Sequence, residues 1–544
     1  MVQKNNKSWL VVLIQSYILV GLVIFGLVYA TNPSGFMFSA EASFQILCHL
    51  FLGLTIWFFG SWYLMTNRLF DPYVLFLLSA TIFNGGQIVL EVFHLNENGF
   101  LNNTFPTSES LQIVYIVTLG LTAMHLGAML SVALDRPKSE PVEFLAFLDR
   151  NSRTDLSSRS GIVSSPGSAI VPYRPSTMKP SYPSQIGSTF RSSIVPANTV
   201  LAVGQIFLYV SIIPVLVTVI GAIQVAKSGG YGSIYEQQAV TGIAASAGII
   251  ADFIFPGVFL VIAGGKRKPK LRILAVMYLL LYTCAKLAIG TRGAAVMPML
   301  AMLWLWDSVV RPLPRTLLIL VAAVMLVVVL PVVGASRNEV AGVDFLSIEF
   351  LSKTLTGINN PLFASISEMG FSATTIGWTM ELVPKVRPFA LGTSFLVSVL
   401  TLIPNVFSAG RHPALTMTGY DIPDFWLAAE IDKEFADRGG SFGFSFIAES
   451  YLDFGWFGII LLAIIGFLFA KFVQWALKDR DPAKMAIIAI FVSFFLFYPR
   501  GSSQMIFRPL IWYSLVPYLW MRWNSKLSPS RIKDLVTALR NSKK

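Results

Sequence analysis

Trp9-Leu-Val-Val-Leu-Ile-Gln-Ser-Tyr-Ile-Leu-Val-Gly-Leu-Val-Ile-Phe-Gly-Leu-Val-Tyr-Ala30 is a run without one charged side chain, preceded by Lys4 and Lys7. Coiled as a helix it extends about 33 Å, enough for the roughly 30 Å hydrocarbon layer of a bilayer. It is too long for the apolar region of a cleaved leader, so it reads as a retained first membrane helix.

The rest of the chain repeats the pattern. Of 544 residues, 54% are hydrophobic and only 13% charged, too little charge to cover a soluble protein of this size. Runs of membrane-spanning character occur at 9–30, 44–65, 73–93, 111–134, 198–223, 242–264, 273–290, 294–310, 316–335, 455–477, 484–498 and 505–521. The expected fold is all-α, a polytopic transmembrane helical bundle of about 12 spans.

Basic residues orient it. With the N-terminus in the cytoplasm, the inner segments hold 28 of the 41 Lys and Arg, and the first two outer loops hold none. That asymmetry puts both termini on the cytoplasmic side. The net charge of +12 belongs to short loops facing anionic lipid, so no nucleic-acid partner is implied. Cys48 and Cys284 both sit in apolar runs and offer no disulfide framework or cysteine metal site.

The chain then divides into helices 1–4 (1–134), a cytoplasmic loop (135–197), helices 5–9 (198–335), a large extracytoplasmic loop between the ninth and tenth spans (336–454), helices 10–12 (455–521) and a basic cytoplasmic tail (522–544). Fourteen Ser and eight Pro in 135–197 predict a disordered linker. The 336–454 loop contains an amphipathic pattern at Phe345, Ile348, Leu351, Leu355 and Ile358, and an apolar stretch from Phe389 to Phe407. The latter reads as a re-entrant or interfacial element covering a cavity.

No phosphate-binding loop, dinucleotide fingerprint, zinc-protease motif or nucleophile elbow is present. Asp479-Arg480-Asp481 lies in a short inner turn and reads as a solvated turn, not a nucleotide-sugar site. Arginines are more informative. Arg292, Arg337, Arg500 and Arg508 stand near outer span ends, where the positive-inside bias disfavours them, with Lys286 shortly before Arg292. One such residue would read equally well as a snorkelling lipid contact; four on one face favour an anionic ligand, because guanidinium binds phosphate through paired hydrogen bonds. Asp252, inside the sixth span, is expected to pair with Lys286 structurally.

Late in the large loop come Arg411-His412, the acidic stretch up to Glu434 and Arg438, and Gly439-Gly-Ser-Phe-Gly443-Phe-Ser445. Ser445 is a natural N-cap for the next helix. On that helix Glu449 and Asp453 share a face. A helix start with dipole-complementing acids is the plainer reading of these residues; a proton acceptor beside a glycine turn is the functional one.

Gly443-Phe-Ser-Phe-Ile-Ala-Glu449-Ser-Tyr-Leu-Asp453-Phe-Gly455, running into a late span, resembles the corresponding segment of the Wzy-type O-antigen polymerases, the oligosaccharide repeat unit polymerase family. Lys286 to Gly293 resembles their mid-chain arginine loop, and the many-span layout with a large late loop is similar too. Asp453 stands where Asn is more usual, and the 135–197 insert is not typical of that family. The resemblance implies a metal-independent, cofactor-free glycosyltransferase of the bacterial plasma (inner) membrane. Its donor would be an undecaprenyl-pyrophosphate-linked oligosaccharide at the outer face, and its partners would include membrane lipid, a flippase and a chain-length regulator. The pyrophosphate would be held by Arg292, Arg337 and Arg500, with Lys286, Arg411, Arg438 and Arg508 as further substrate-binding residues, and proton acceptance would fall to Glu449 or His412. An O-antigen ligase delivering lipid-linked glycan to lipid A is the near alternative. A polysaccharide transporter or lipid-linked sugar flippase is the alternative from another class, disfavoured by the scarcity of charge within the first-half spans.

Overall fold

The computed structural model describes residues 2–31, 39–135, 195–229, 243–335, 360–405 and 412–526. The 136–194 segment, the amphipathic pattern from Phe345 to Ile358 and the tail from 527 lie outside these residues.

Among the described residues, ten helices are long and apolar enough to cross a membrane: Ser8–Thr31, Ala40–Thr66, Pro72–Val92, Thr107–Leu134, Ala197–Ala226, Ala247–Arg267, Pro269–Ala288, Arg315–Ala335, Phe446–Asp479 and Pro482–Arg500. The two further expected spans are also helical but fall outside that set. Arg292–Val309 carries Arg292 and Asp307 at its ends and Pro298 within. The last run passes from Gln504–Arg508 through a π-helical stretch, Pro509–Leu515, into Val516–Lys526. No strand occurs among the described residues. The protein is a multi-pass helical membrane protein.

The surface is inverted relative to a soluble protein. Tyr17, Leu64 and Ile213 are each about 70% exposed on helices that hydrocarbon would cover. Some polar groups inside are paired across helices: the buried His125 ring lies between Ser61 at 2.8 Å and Tyr73 at 2.9 Å, and Gln15 donates to the Thr122 carbonyl at 3.0 Å. Helix–helix approach relies on small residues. Gly127 lies against the Ala463 carbonyl and Gly466 against that of Met124, so Thr107–Leu134 and Gly458–Asp479 meet backbone to backbone.

Helix starts follow local chemistry. Asp71 caps Pro72–Val92 by accepting from Val74 N at 3.0 Å, and Asp481 caps Pro482–Phe495 by accepting from Ala483 N at 2.8 Å. Asp479 pairs with Lys484. Both carboxylates of that acidic turn are thus structural.

Four turns (67–71, 265–268, 310–314 and 480–481) meet around one cavity and so lie at one end of the bundle. Asn84 lies about 18 Å up the third helix from that end. At its level the chain turns inward. Thr393–Leu400, only eight residues and too short to cross, packs against Phe446–Phe454 and Gln504–Arg508.

Candidate active site

The late glycine turn is held inside the bundle by its own cap. Ser445 caps Phe446–Phe454, accepting from Ile447 N at 3.2 Å, while its hydroxyl donates to Asn84 Oδ1 at 2.6 Å. Asn84 Nδ2 donates in turn to the Pro499 carbonyl at 3.0 Å, and Phe444 N to that of Arg500 at 3.3 Å. The third helix, the glycine turn and the 498–503 turn are therefore one unit.

Glu449 and Asp453 share a face and point at the Thr393–Leu400 segment. Glu449 Oε1 accepts from Ser503 Oγ at 2.7 Å and Ser394 Oγ at 3.2 Å. Ser394 also contacts Asp453, whose Oδ1 accepts from Gly392 N at 2.8 Å. Ser503 further donates to Ser398 at 2.7 Å; as a hydroxyl has one proton, it chooses between Ser398 and Glu449. Both carboxylates are 0% exposed. Glu449 Oε2 forms no hydrogen bond of good geometry, and the hydroxyl of the fully buried Tyr498 lies beside that carboxylate, close enough to interact with it electrostatically. A buried carboxylate oxygen without a well-formed hydrogen bond is costly to keep.

The cations surround this core unevenly. Arg500 lies over the Phe83 ring at 5.9 Å and against Gly443, whose φ of +74° leaves room for it. Arg508 donates to the Thr401 carbonyl at 3.2 Å. Arg292 is brought near through its neighbour: Gly293 abuts Phe497, which packs edge-on to Phe83 at 6.0 Å. Arg292 is buried and already engaged. Its Nη1 donates to Glu368 Oε2 at 2.9 Å and to the Leu330 carbonyl at 3.1 Å, and its Nη2 pairs with Glu368 Oε1. A phosphate would have to displace that carboxylate.

Lys286 lies over the Tyr282 ring at 5.5 Å and is coupled electrostatically to Asp252. The expected direct pair is not formed: no Lys286–Asp252 ion pair occurs, and Tyr513 instead donates to Asp252 Oδ2 at 3.4 Å. Arg508 acts on the same carboxylate electrostatically.

The remaining predicted residues stand apart. His412 uses both ring nitrogens locally, at 2.8 Å to the Ile403 carbonyl and accepting from Ala414 N at 3.1 Å, so it is the N-cap of Pro413–Thr418. Arg438 is 60% exposed with Glu434 for a neighbour, a solvated pair of little worth. Arg337 and Arg411 lie outside the described residues.

Sequence reading missed Asn84, Ser394, Ser398, Ser503, Glu368 and Tyr498. It also missed Arg387, which lies 4.0 Å over Tyr420 and 4.8 Å over Trp426 and acts electrostatically on Asp453. Asn84 alone carried a signal, an amide within an apolar run.

Residues 182–527 match the family described as O-antigen polysaccharide polymerase Wzy, well over half of the chain. The chain belongs to that family. No curated protein and no solved structure matches it. The O-antigen polysaccharide polymerase Wzy family joins O-antigen repeat units, a polymerase-type glycosyl transfer carried out in the membrane. The matched region includes the glycine turn, the two carboxylates and every arginine described above; the third helix with Asn84 lies before it.

Proposed function

We propose that the junction around Glu449 polymerises repeat units carried on undecaprenyl pyrophosphate, at the outer face of the plasma membrane, without a metal or cofactor. The observation that carries this reading is a buried carboxylate, Glu449, hydrogen-bonded to Ser503 on the same 497–508 turn that bears Arg500 and Arg508, with Gly293, the neighbour of Arg292, packed on Phe497 of that turn.

In the proposed step the glycosidic C–O bond to the donor's pyrophosphate breaks, and a C–O bond to the acceptor hydroxyl forms. The hydroxyl proton passes to Glu449 Oε2, and the pyrophosphate leaves with the bond's electron pair. Arg500 and Arg508 stabilise the charge that develops there. Arg292 joins them when Glu368 yields. Ser503 and Ser394 hold Oε1 so that Oε2 keeps one orientation. Movement of the Thr393–Leu400 segment would open the buried carboxylate to the sugar.

The test is purified protein with a synthetic polyprenyl-pyrophosphate repeat unit as both donor and acceptor, with EDTA present. A product ladder is expected. Absence of a ladder, with glycan transferred only when lipid A is supplied, would make the protein a ligase.

A further inference from the structure

At the opposite end of the bundle, the four turns enclose a cavity of about 460 Å³, within the size range of small-ligand sites. Its lining includes Arg68, Lys266, Arg272, Arg315 and Arg480. Four of these are exposed, as loop cations usually are. Arg272 is not: only 8% of it is accessible, and its Nε is buried without a hydrogen-bond partner. Gly265 makes room for it, since a Cβ there would stand 3.0 Å from Arg272 Cγ and 3.5 Å from Nε.

The two carboxylates in the lining are already committed. Asp71 accepts from Val74 N at 3.0 Å and Trp62 Nε1 at 3.1 Å. Asp307 accepts from Leu313 N at 2.8 Å and lies 3.8 Å from Arg315. Among the described residues, no carboxylate forms an ion pair with Arg68, Lys266, Arg272 or Arg480. A guanidinium whose Nε is buried without a partner, and which has no anion beside it, is costly, and a ring of unpaired cations around it raises the local positive potential.

We infer that this cavity is a binding site for a phosphate group, separate from the polymerising centre, with Arg272 as its buried ligand and Lys266 and Arg480 at its rim. Arg272 offers the planar fork that matches phosphate oxygens, while the rim cations add charge without fixed geometry. The phosphate can come from the headgroup of an anionic lipid entering between the turns or from a free phosphate-bearing solute. This inference does not depend on the mechanism proposed above.

The experiment uses the full chain in nanodiscs. In one arm the discs are zwitterionic phosphatidylcholine and radiolabelled orthophosphate is titrated in; in the other, phosphatidylglycerol is included and lipid retained through delipidation is counted by native mass spectrometry. Wild type is compared with Arg272→Gln and with the Lys266→Ala/Arg480→Ala double variant. Both leave Arg292, Arg500 and Arg508 intact, so binding at the far end is common to all three. Loss of one orthophosphate site in the variants supports the inference with a soluble ligand. At least tenfold lower phosphatidylglycerol retention in them supports it with a lipid. If both proteins are folded and neither readout moves, the inference is overturned. Should Arg272→Gln fail to fold, the double variant decides, because its side chains are exposed and their removal leaves the interior intact.

Discussion

Ser503 donates a hydrogen bond to Glu449 Oε1 at 2.7 Å across 54 residues of chain, while the other carboxylate oxygen makes no well-formed hydrogen bond. The asymmetry separates a structural role from a chemical one. Glu449→Gln keeps an oxygen to accept from Ser503 and Ser394 while removing the basicity. If Oε2 takes the acceptor's proton, Glu449→Gln should lower the polymerisation rate at least about a hundredfold, with thermal unfolding in detergent almost unchanged. Near-normal activity in a product-ladder assay would sink the assignment.

How much of this was legible depended on sequence distance. Ser445, Glu449 and Asp453 fall within one helical start, so capping preference and the i, i+4 spacing revealed them. Their partners did not show. Asn84 meets Ser445 across 361 residues, Ser394 meets Glu449 across 55, and Glu368 meets Arg292 across 76. No periodicity encodes such contacts. Helices came easily because the bilayer demands long apolar runs; the two runs outside the spanning set are diluted by polar and charged residues, Arg292 and Asp307 in one, Gln504 and Arg508 in the other. Arg292 was legible as a membrane-boundary guanidinium, but its occupation by Glu368 was not.

That occupation makes a paired prediction. Arg292→Ala leaves Glu368 46% exposed and accessible to water, whereas Glu368→Gln strands a guanidinium that is only 10% exposed. Stranding the more buried partner costs more. Glu368→Gln should therefore melt below Arg292→Ala, and its melting temperature should recover when the pyrophosphate donor is added. Arg292→Ala should polymerise about ten- to a hundredfold more slowly, and Arg292→Lys should lie between it and wild type. Equal melting temperatures, with no response to donor, would show that no anion exchanges with Glu368.

Gly443 and Gly419 form an internal comparison. Both have positive φ, +74° and +68°, so Ala at either should cost about 1–2 kcal/mol of backbone strain. They differ in surroundings: a Cβ on Gly443 would meet the Arg500 carbonyl at 3.3 Å and its Nε at 3.4 Å, whereas Gly419 has nothing within 4 Å. Gly443→Ala should lose polymerisation through displaced Arg500. Gly419→Ala should show a comparable drop in melting temperature and retain activity. Equal activities in the two variants would remove Arg500 from the proposed site.

Orientation is open to direct labelling. In a Cys284→Ser background, which removes the exposed native thiol, Lys478→Cys reports the end bearing the basic cavity and Asp421→Cys the late loop. A membrane-impermeant maleimide applied to intact cells (with the outer membrane permeabilised) should label Asp421→Cys alone. The reverse pattern would place the Glu449 junction on the cytoplasmic half and defeat an outer-face reaction.

Asp424 offers a pH test outside the spans. It lies in the first turn of Pro423–Ile431, its Oδ1 is buried without a partner, and burial pushes its pKa up to about 6, against the weaker opposing pull of backbone hydrogen bonds. The ordinary Asp value is about 3.9. Between those two values the folded protein holds a proton that the unfolded chain has released. By linkage, folding stability contributed by this group must fall as pH rises through that window and then level off above it. Asp424→Asn keeps the side chain neutral throughout and removes the dependence. The variant should match wild type in thermal unfolding near pH 4, exceed it at pH 7, and diverge from it in between. A wild type whose stability relative to Asp424→Asn rises with pH would mean that the carboxylate is stabilised in its charged form, by a partner that its buried oxygen lacks here.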